Sequence, residues 1–191
     1  MKNLLFIIFA IFSISLLMAF TNYKSQPKVL ITTISSTPIS NVDIKIKTEE
    51  IKIKGHKAFL TALGHQESGN RYNIVNQFGY MGKYQFGKST LKTLKIKVTK
   101  EAFLNSPDLQ EYAMQQLLLY NKKRLQKYID KFEGCKINGI LITESGLLAA
   151  AHLGGAGSVK KWFRTGKVKE DGNGVKITTY MQRFSDYTLY L

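Results

Sequence analysis

The stretch ESGNRYNIVNQFGYMGKYQF, residues 67–86, combines one acid with two spaced glycines and a group of amide and aromatic side chains. It directly follows HKAFLTALGHQ, residues 56–66, in which apolar residues recur at helical spacing, so we predict a helix that ends at Gly69. Glu67 shares the apolar face of this helix and lies in its last turn, where the helix dipole and partial burial both disfavour a charged carboxylate. A carboxylic acid held neutral can donate a proton, so Glu67 is a candidate general acid. The alternative is a solvated glutamate at the helix edge.

The residues that follow Glu67 favour contact with a carbohydrate. Gly79 and Gly82 permit the backbone to approach another surface closely or to take a positive φ. Amide side chains pair with hydroxyl and acetamido groups, and aromatic rings stack on the faces of sugars. The stretch supplies both kinds of side chain: Asn73, Asn76, Gln77, Gln85, Phe78, Tyr80, Tyr84 and Phe86. It contains no phosphate-binding glycine motif and no metal-ligand spacing.

Two motifs in this stretch resemble those of the soluble lytic transglycosylases, which have the lysozyme-like fold. That family carries a Glu-Ser pair and then a Gly-x-x-Gly-x-x-Gln run, and the chain has Glu67-Ser68 followed by GYMGKYQ at residues 79–85. Asn76 stands where the family usually carries a serine near the acid. The resemblance implies that Glu67 is catalytic. It also implies that nearby residues contact the substrate: Ser68, Asn76, Gly79, Gly82, Tyr84 and Gln85.

Two later segments resemble the third and fourth motifs of the same family. Residues 151–157, AHLGGAG, correspond to Ala-Tyr-Asn-Ala-Gly-x-Gly, with His152 in place of the tyrosine and Leu153 in place of the asparagine. The resemblance places His152 and Gly155 near the reacting sugar, where His152 would donate a hydrogen bond. Alternatively, His152 is a core histidine with backbone partners. Tyr180 corresponds to the tyrosine that ends the fourth motif and lines the site.

The N-terminal part of the chain predicts export. Residues 1–21 carry a lysine at position 2 and then a long uncharged apolar run, which is typical of a signal peptide or an N-terminal membrane anchor. Cleavage and retention are both open, and we expect the protein in the periplasm or elsewhere in the cell envelope. Residues 22–54 are polar and β-branched and include the alternating run VDIKIKTEEIKIK. This pattern predicts either a strand-like extension or a solvated linker.

The charge of the chain indicates an anionic partner. Its 191 residues include 28 Lys and Arg against 13 Asp and Glu, a net charge of +15, which favours nucleic acid, membrane headgroups or cell-wall polymers. Export disfavours nucleic acid, so peptidoglycan glycan strands are the expected partner, with membrane association through the N-terminal apolar run. The single cysteine, Cys135, excludes an intramolecular disulfide. We expect a monomer that needs neither a metal nor a cofactor.

Residues 55–191 predict a mainly α fold, a lysozyme-like helical domain that follows the extended or β-like N-terminal segment. The clearest helix begins after Ser106, has Pro107 and Asp108 in its first turn, and reaches Gly134. Helical spacing predicts an inward-facing stripe of Leu109, Tyr112, Ala113, Gln116, Leu117 and Tyr120. We therefore expect the tyrosines of this helix to lie in the core.

A second Glu-Ser-Gly sequence, at residues 144–146, offers a rival acid. Glu144 follows a capping residue, Thr143, at the start of a predicted helix, where the helix dipole stabilises a charged carboxylate. That position suits a cap better than a proton donor. Glu67 is therefore the preferred acid.

The resemblance implies cleavage of the β-1,4 bond between N-acetylmuramic acid and N-acetylglucosamine. Glu67 would act first as acid and then as base, giving 1,6-anhydro ends. A hydrolytic muramidase normally uses a second carboxylate, and residues 69–99 contain no Asp or Glu, which favours the transglycosylase. Two alternatives are open, a hydrolytic muramidase and a non-catalytic peptidoglycan-binding protein on the same fold. A further alternative is an exported or phage-derived lysin that attacks the walls of other cells.

Overall fold

Helices make up 57% of residues 54–191, the part of the chain that the computed structural model describes. The fold is therefore mainly α, as the sequence predicts. Along the chain the elements are α1 His56–Ser68, α2 Lys88–Thr93, α3 Lys100–Leu104, α4 Pro107–Phe132, β1 Lys136–Ile137, β2 Ile140–Leu141, α5 Glu144–Thr165 and α6 Ile177–Arg183. The predicted export segment, residues 1–21, and the predicted extension as far as residue 53 lie outside the described residues. Between residues 54 and 191 no helix has the length and apolarity needed to cross a membrane.

Helix α1 positions the acid of the first Glu-Ser-Gly. Phe59 and Leu63 are fully buried on its inner face and attach the helix to the core. The helix ends at Gly69, which adopts the left-handed conformation with φ 66° and donates its amide to the carbonyl of His65 at 3.0 Å. The predicted stop at Gly69 is confirmed. Glu67 consequently lies in the last turn of the helix.

Helix α4 begins and ends close to the predicted bounds, and the Ser106 hydroxyl accepts a hydrogen bond from the amide of Leu109 at 3.4 Å. Its buried face differs from the predicted stripe and consists of Gln110, Ala113, Met114, Leu117, Leu118, Asn121, Leu125 and Ile129. Tyr112 and Tyr120 are 55% and 37% exposed, so placing them in the core was wrong. The apolar pattern predicted the wrong stripe because two of the buried residues on this face, Gln110 and Asn121, are polar.

Helix α5 is broken at one glycine. Gly155 has φ 78° and ψ 151°, so the helix stops there and resumes at the next residue. The predicted cap is confirmed, since the Thr143 hydroxyl accepts from the amide of Gly146 at 3.1 Å. A side chain at Gly146 would meet the carbonyl oxygen of Met181 at 2.5 Å, so α5 and α6 are in close contact there.

The loop between α1 and α2 folds back on itself through short antiparallel bridges. The Gly82 amide donates to the Ile74 carbonyl at 2.8 Å, and Met81 and Phe86 exchange two backbone hydrogen bonds. The side chain of Gln110, fully buried at the start of α4, holds this loop by its amide group. Its Oε1 accepts from the Lys83 amide at 2.9 Å, and its Nε2 donates to the carbonyls of Tyr72 and Phe103 at 3.0 and 2.8 Å. Any side chain at Gly82 would overlap the Gln110 amide.

Candidate active site

The carboxyl group of Glu67 lies at one side of a cleft, in contact with two other side chains. Its Oε1 accepts a hydrogen bond from the Tyr180 hydroxyl at 2.7 Å, and the same oxygen lies 3.6 Å from His152 Nε2. The Glu67 side chain is 13% exposed. Among residues 54–191, none forms a hydrogen bond with Oε2. One carboxyl oxygen is thus held by protein groups while the other has no protein partner within the described chain.

Tyr180 and His152 reach Glu67 from the two C-terminal helices. Burial and the neighbouring Glu67 carboxylate raise the pKa of Tyr180, so this phenol stays protonated and acts as a donor. The His152 side chain is only 6% exposed, and its ring lies edge-on to Phe86 with 6.2 Å between the centroids. His152 Nδ1 is buried and has no hydrogen-bond partner within the described residues. His152 is therefore close to the acid, and no backbone group in the described chain binds either ring nitrogen.

The cleft has two adjoining lobes. The first, of about 350 Å³, is called the Glu67 lobe and is lined by Gln66, Glu67, Asn76, Phe78, Tyr80, Gln85, His152, Leu153, Asp171, Gly172, Asn173, Val175 and Tyr180. The second, of about 360 Å³, is called the Arg124 lobe, and its lining includes Tyr120, Asn121, Arg124 and the backbone at Gly155, Ala156 and Gly157. Four residues line both lobes: Tyr80, Gln85, His152 and Leu153. A ligand that fills one lobe can therefore extend into the other.

Most of the predicted site residues come together in this cleft. Glu67, Asn76, Gln85, His152 and Tyr180 line the Glu67 lobe, and Gly155 lines the Arg124 lobe. Asn76 also shapes the wall, because its Oδ1 accepts from the amides of Phe78 and Tyr80 at 2.9 and 3.0 Å. Gln85 is fixed through its Nε2, which donates to the Gly82 carbonyl at 2.9 Å.

Four predicted substrate contacts lie outside the cleft lining: Ser68, Gly79, Gly82 and Tyr84. Ser68 is buried, donates to the Lys83 carbonyl at 2.8 Å and accepts from the Arg71 amide at 3.0 Å, which joins α1 to the loop. Tyr84 is fully buried. Gly79 and Gly82 have φ values of 80° and 73°, which L side chains rarely adopt. In this structure the four residues shape the loop rather than line the cleft.

A half-buried polar cluster behind the loop was not anticipated from the sequence. Glu111 forms an ion pair with Lys83 at 2.7 Å and accepts hydrogen bonds from the hydroxyls of Tyr72 at 2.6 Å and Tyr84 at 2.7 Å. Burial works against ionisation of Glu111, but these three donors outweigh it and lower its pKa. No sequence signal links Glu111 to Lys83, because they lie on separate elements 28 residues apart.

The turn between α5 and α6 adds a second carboxylate to the Glu67 lobe. The Asp171 Oδ1 accepts from the amides of Asn173 at 2.9 Å and Val175 at 2.7 Å, which orients its side chain. Gly172 packs beside the Phe78 ring, so the turn meets the loop across the cleft. The Asp-Gly and Asn-Gly pairs signal a turn in the sequence, but nothing local indicates where the turn lies in three dimensions.

The rival acid lies elsewhere. Glu144 forms an ion pair with Lys122 at 2.9 Å and lines neither lobe. The part of the chain that the structure describes contains no group of three or more His, Cys, Asp or Glu residues suited to a metal ion. Comparisons with models of protein families, with curated proteins and with solved structures found no match.

Proposed function

We propose that this protein is an exported lytic transglycosylase on a lysozyme-like helical domain, and that it cleaves peptidoglycan glycan strands. One observation carries the proposal: the Glu67 carboxyl is largely buried beside an open cleft and accepts a hydrogen bond from Tyr180. The motif resemblance in the sequence selects the same glutamate. The net charge of +15 favours an anionic polymer as the substrate.

Glu67 serves both steps of the proposed reaction. With Oε1 occupied by Tyr180, the transferable proton resides on Oε2 and passes to the oxygen of the bond between N-acetylmuramic acid and N-acetylglucosamine. The resulting carboxylate then takes a proton from the 6-hydroxyl of the muramic residue. That oxygen attacks the anomeric carbon and closes a 1,6-anhydro ring. Acid and base assistance of this kind contributes roughly 10²- to 10⁴-fold in rate.

Tyr180 and His152 support Glu67 when it carries a negative charge. The phenol of Tyr180 already donates to Oε1, so this hydrogen bond strengthens as the carboxylate forms. His152 Nε2 lies close enough to stabilise the same oxygen whenever the imidazole is protonated. Phe78 and Tyr80 are half exposed along the cleft and offer ring faces to the sugars.

A hydrolytic muramidase is the second candidate, and Asp171 is the observation that favours it. From the sequence alone, no second carboxylate stands near Glu67, yet Asp171 lines the same lobe. Hydrolysis with two carboxylates would use Asp171 as the base that activates water, or as the nucleophile. The transglycosylase is preferred because the Asp171 Oδ1 already accepts two backbone hydrogen bonds that shape the turn.

Digestion of isolated sacculi distinguishes these two reactions. The fragments released by the full-length protein are separated and weighed by mass spectrometry. A transglycosylase yields 1,6-anhydro ends, whereas a hydrolase yields reducing ends that are heavier by one water. Asp171→Asn is the matched variant, since it should leave release by a transglycosylase largely intact but disable a hydrolase. If the wild-type protein binds sacculi and releases nothing, the protein is a non-catalytic peptidoglycan-binding protein instead.

A further inference from the structure

The Arg124 lobe differs chemically from the lobe that contains the acid. Its lining includes Ser89, Thr90, Thr93, Leu117, Tyr120, Asn121, Arg124, Gly155, Ala156 and Gly157, together with residues shared between the lobes, and none of these is acidic. The Glu67 lobe contains two carboxylates, Glu67 and Asp171. The cationic side chain of Arg124 therefore belongs to a pocket without a neutralising carboxylate in its lining.

Arg124 is oriented but not neutralised. Its Nη1 donates to the hydroxyl of Tyr120 at 3.0 Å, one helical turn earlier on α4. The ion pairs formed within residues 54–191 do not include Arg124. The other guanidinium donors can therefore bind an anionic group, and a guanidinium suits a carboxylate because it offers two parallel N–H groups.

A second feature of the Arg124 lobe is the side chain of Asn121. Its side chain lines the lobe and is 3% exposed, and its Nδ2 has no hydrogen-bond partner in the described part of the chain. A buried amide nitrogen without a partner is costly, and the cost is removed when an acceptor arrives. Asn121 therefore adds a buried polar side chain to the lining of the Arg124 lobe.

The break in α5 adds backbone donors to the lobe. Because Gly155 is not helical, Ala156 and Gly157 lie in the first turn of the resumed helix, where backbone amides have no carbonyl partner within their own helical segment. A side chain at Gly155 or Gly157 would meet no atom within 4 Å, so there is open space on the side where it would project. The positive end of the resumed helix favours a negative charge there.

We propose that the Arg124 lobe binds a carboxylate carried by the glycan strand, next to the bond that Glu67 cleaves. This inference rests on the proposed function for the identity of the polymer. Peptidoglycan has two sources of such a group. One is the lactyl carboxylate of muramic acid, which is free where the peptide has been removed. The other is a carboxylate of the attached stem peptide.

Binding measurements with three probes test the proposal. The full-length protein carrying Glu67→Gln is titrated with chitohexaose, which is neutral, with peptide-free glycan strands, and with peptide-bearing strands. Adding Arg124→Gln should weaken binding to an acidic strand roughly three- to tenfold, since a half-exposed ion pair contributes less than a buried one. Binding to chitohexaose should not change. Lys123→Gln is the matched control, because Lys123 is an exposed cation on the same helix outside both lobes.

The pattern of losses identifies the source of the carboxylate. A loss confined to peptide-free strands assigns the lobe to the lactyl carboxylate, and a loss confined to peptide-bearing strands assigns it to the stem peptide. Equal losses with Arg124→Gln and Lys123→Gln would overturn the proposal, since only the general charge would matter. Weaker binding of chitohexaose would also overturn the proposal, because Arg124 would then contact a neutral sugar. Release of fragments from sacculi by the wild-type protein is scored separately. Failure of the enzyme assignment can therefore be distinguished from failure of the proposed carboxylate site.

Discussion

The tripeptide Glu-Ser-Gly occurs twice in this chain, and the two copies have opposite surroundings. The first, residues 67–69, ends α1, whereas the second, residues 144–146, begins α5. Glu67 accepts a hydrogen bond from Tyr180 beside a cleft, while Glu144 pairs with Lys122 outside it. The same three residues are thus compatible with a candidate acid site and with the first turn of a helix. The end of the helix on which they lie, and the elements that pack against them, make the difference.

The serines of the two copies also have different surroundings, and so do the glycines. Ser68 joins α1 to the loop through the Lys83 carbonyl, whereas the Ser145 hydroxyl lies 3.3 Å from the capping hydroxyl of Thr143. Gly69 is required for its positive φ, with space around it, whereas Gly146 is required because the Met181 carbonyl leaves no room. Each position can therefore be substituted in both copies and the results compared.

The largest contrast is expected for the two glutamates. Glu67→Gln removes the only proton donor proposed for the reaction and should lower release from sacculi by roughly 10²- to 10⁴-fold. Glu144→Gln removes a partly buried ion pair that lines neither lobe of the cleft, and it should leave release within about twofold of wild type when equal amounts of folded protein are compared. Both variants are compared by fragment release at equal folded concentration. Equal losses in the two variants would remove the catalytic assignment of Glu67.

A smaller loss is expected when the partner of Glu67 is altered. Tyr180→Phe keeps the buried ring and removes the hydroxyl that donates to Glu67 Oε1. A hydrogen bond to a charged group contributes about 1.5 to 3 kcal/mol, so kcat should fall roughly 10- to 100-fold. KM should change little, because the hydroxyl supports the acid rather than the sugar. A raised KM with unchanged kcat would instead make Tyr180 a binding residue.

Substitution of the two glycines should lower the stability of the protein by different amounts. Gly146→Ala forces a methyl group against the Met181 carbonyl and should lower the free energy of unfolding by about 2 kcal/mol, after the higher helix propensity of alanine is allowed for. Gly69→Ala only imposes a left-handed conformation on alanine and should cost about 1 kcal/mol. Denaturant unfolding of the two variants compares these costs. A larger cost at Gly69 would show that the contact between α5 and α6 is looser than described.

The smallest effect is expected for Glu111, in the polar cluster behind the loop between α1 and α2. The pKa of Glu111 is lower in the folded protein than its ordinary value of 4.5, so the unfolded chain binds the proton more tightly. Its stabilisation is therefore fully present above pH 4.5 and is lost as the pH falls through the lowered pKa. Glu111→Gln should be less stable than wild type near neutral pH, and the difference should shrink in acid.

Unfolding curves at several pH values test this dependence on Glu111. Glu101→Gln is the control, since Glu101 is exposed at the start of α3 and forms no ion pair among residues 54–191. A Glu111→Gln difference that grows in acid would contradict the sign of the shift.

Local signals in the sequence predicted helix ends well. Gly69 and Ser106 act within one turn of their own position, so their residue types were sufficient to place the ends of α1 and α4. The hairpin of β1 and β2 was missed, although Asn138 and Gly139 both have positive φ and form a standard hairpin signal. Its strands of two residues are too short to give an alternating pattern.

The site was predicted only in part because its remaining members depend on distant contacts. Glu67, His152 and Tyr180 come from separate segments, and each belongs to a motif that the sequence alone displays. Asp171 and Arg124 carry no motif, and their place in the cleft follows from how the α5–α6 turn and α4 pack. Tyr120 was assigned to the core because hydrophobic periodicity does not distinguish a buried ring from one that lines a groove.

The single amide of Gln110 has a consequence for the order of assembly. It binds backbone atoms of Tyr72, Lys83 and Phe103, yet it follows Lys83 by 27 residues. During synthesis the cleft wall therefore cannot reach its final shape until the long central helix has emerged and docked. Amide hydrogen exchange at Lys83 should consequently report the docking of that helix rather than the local stability of the wall.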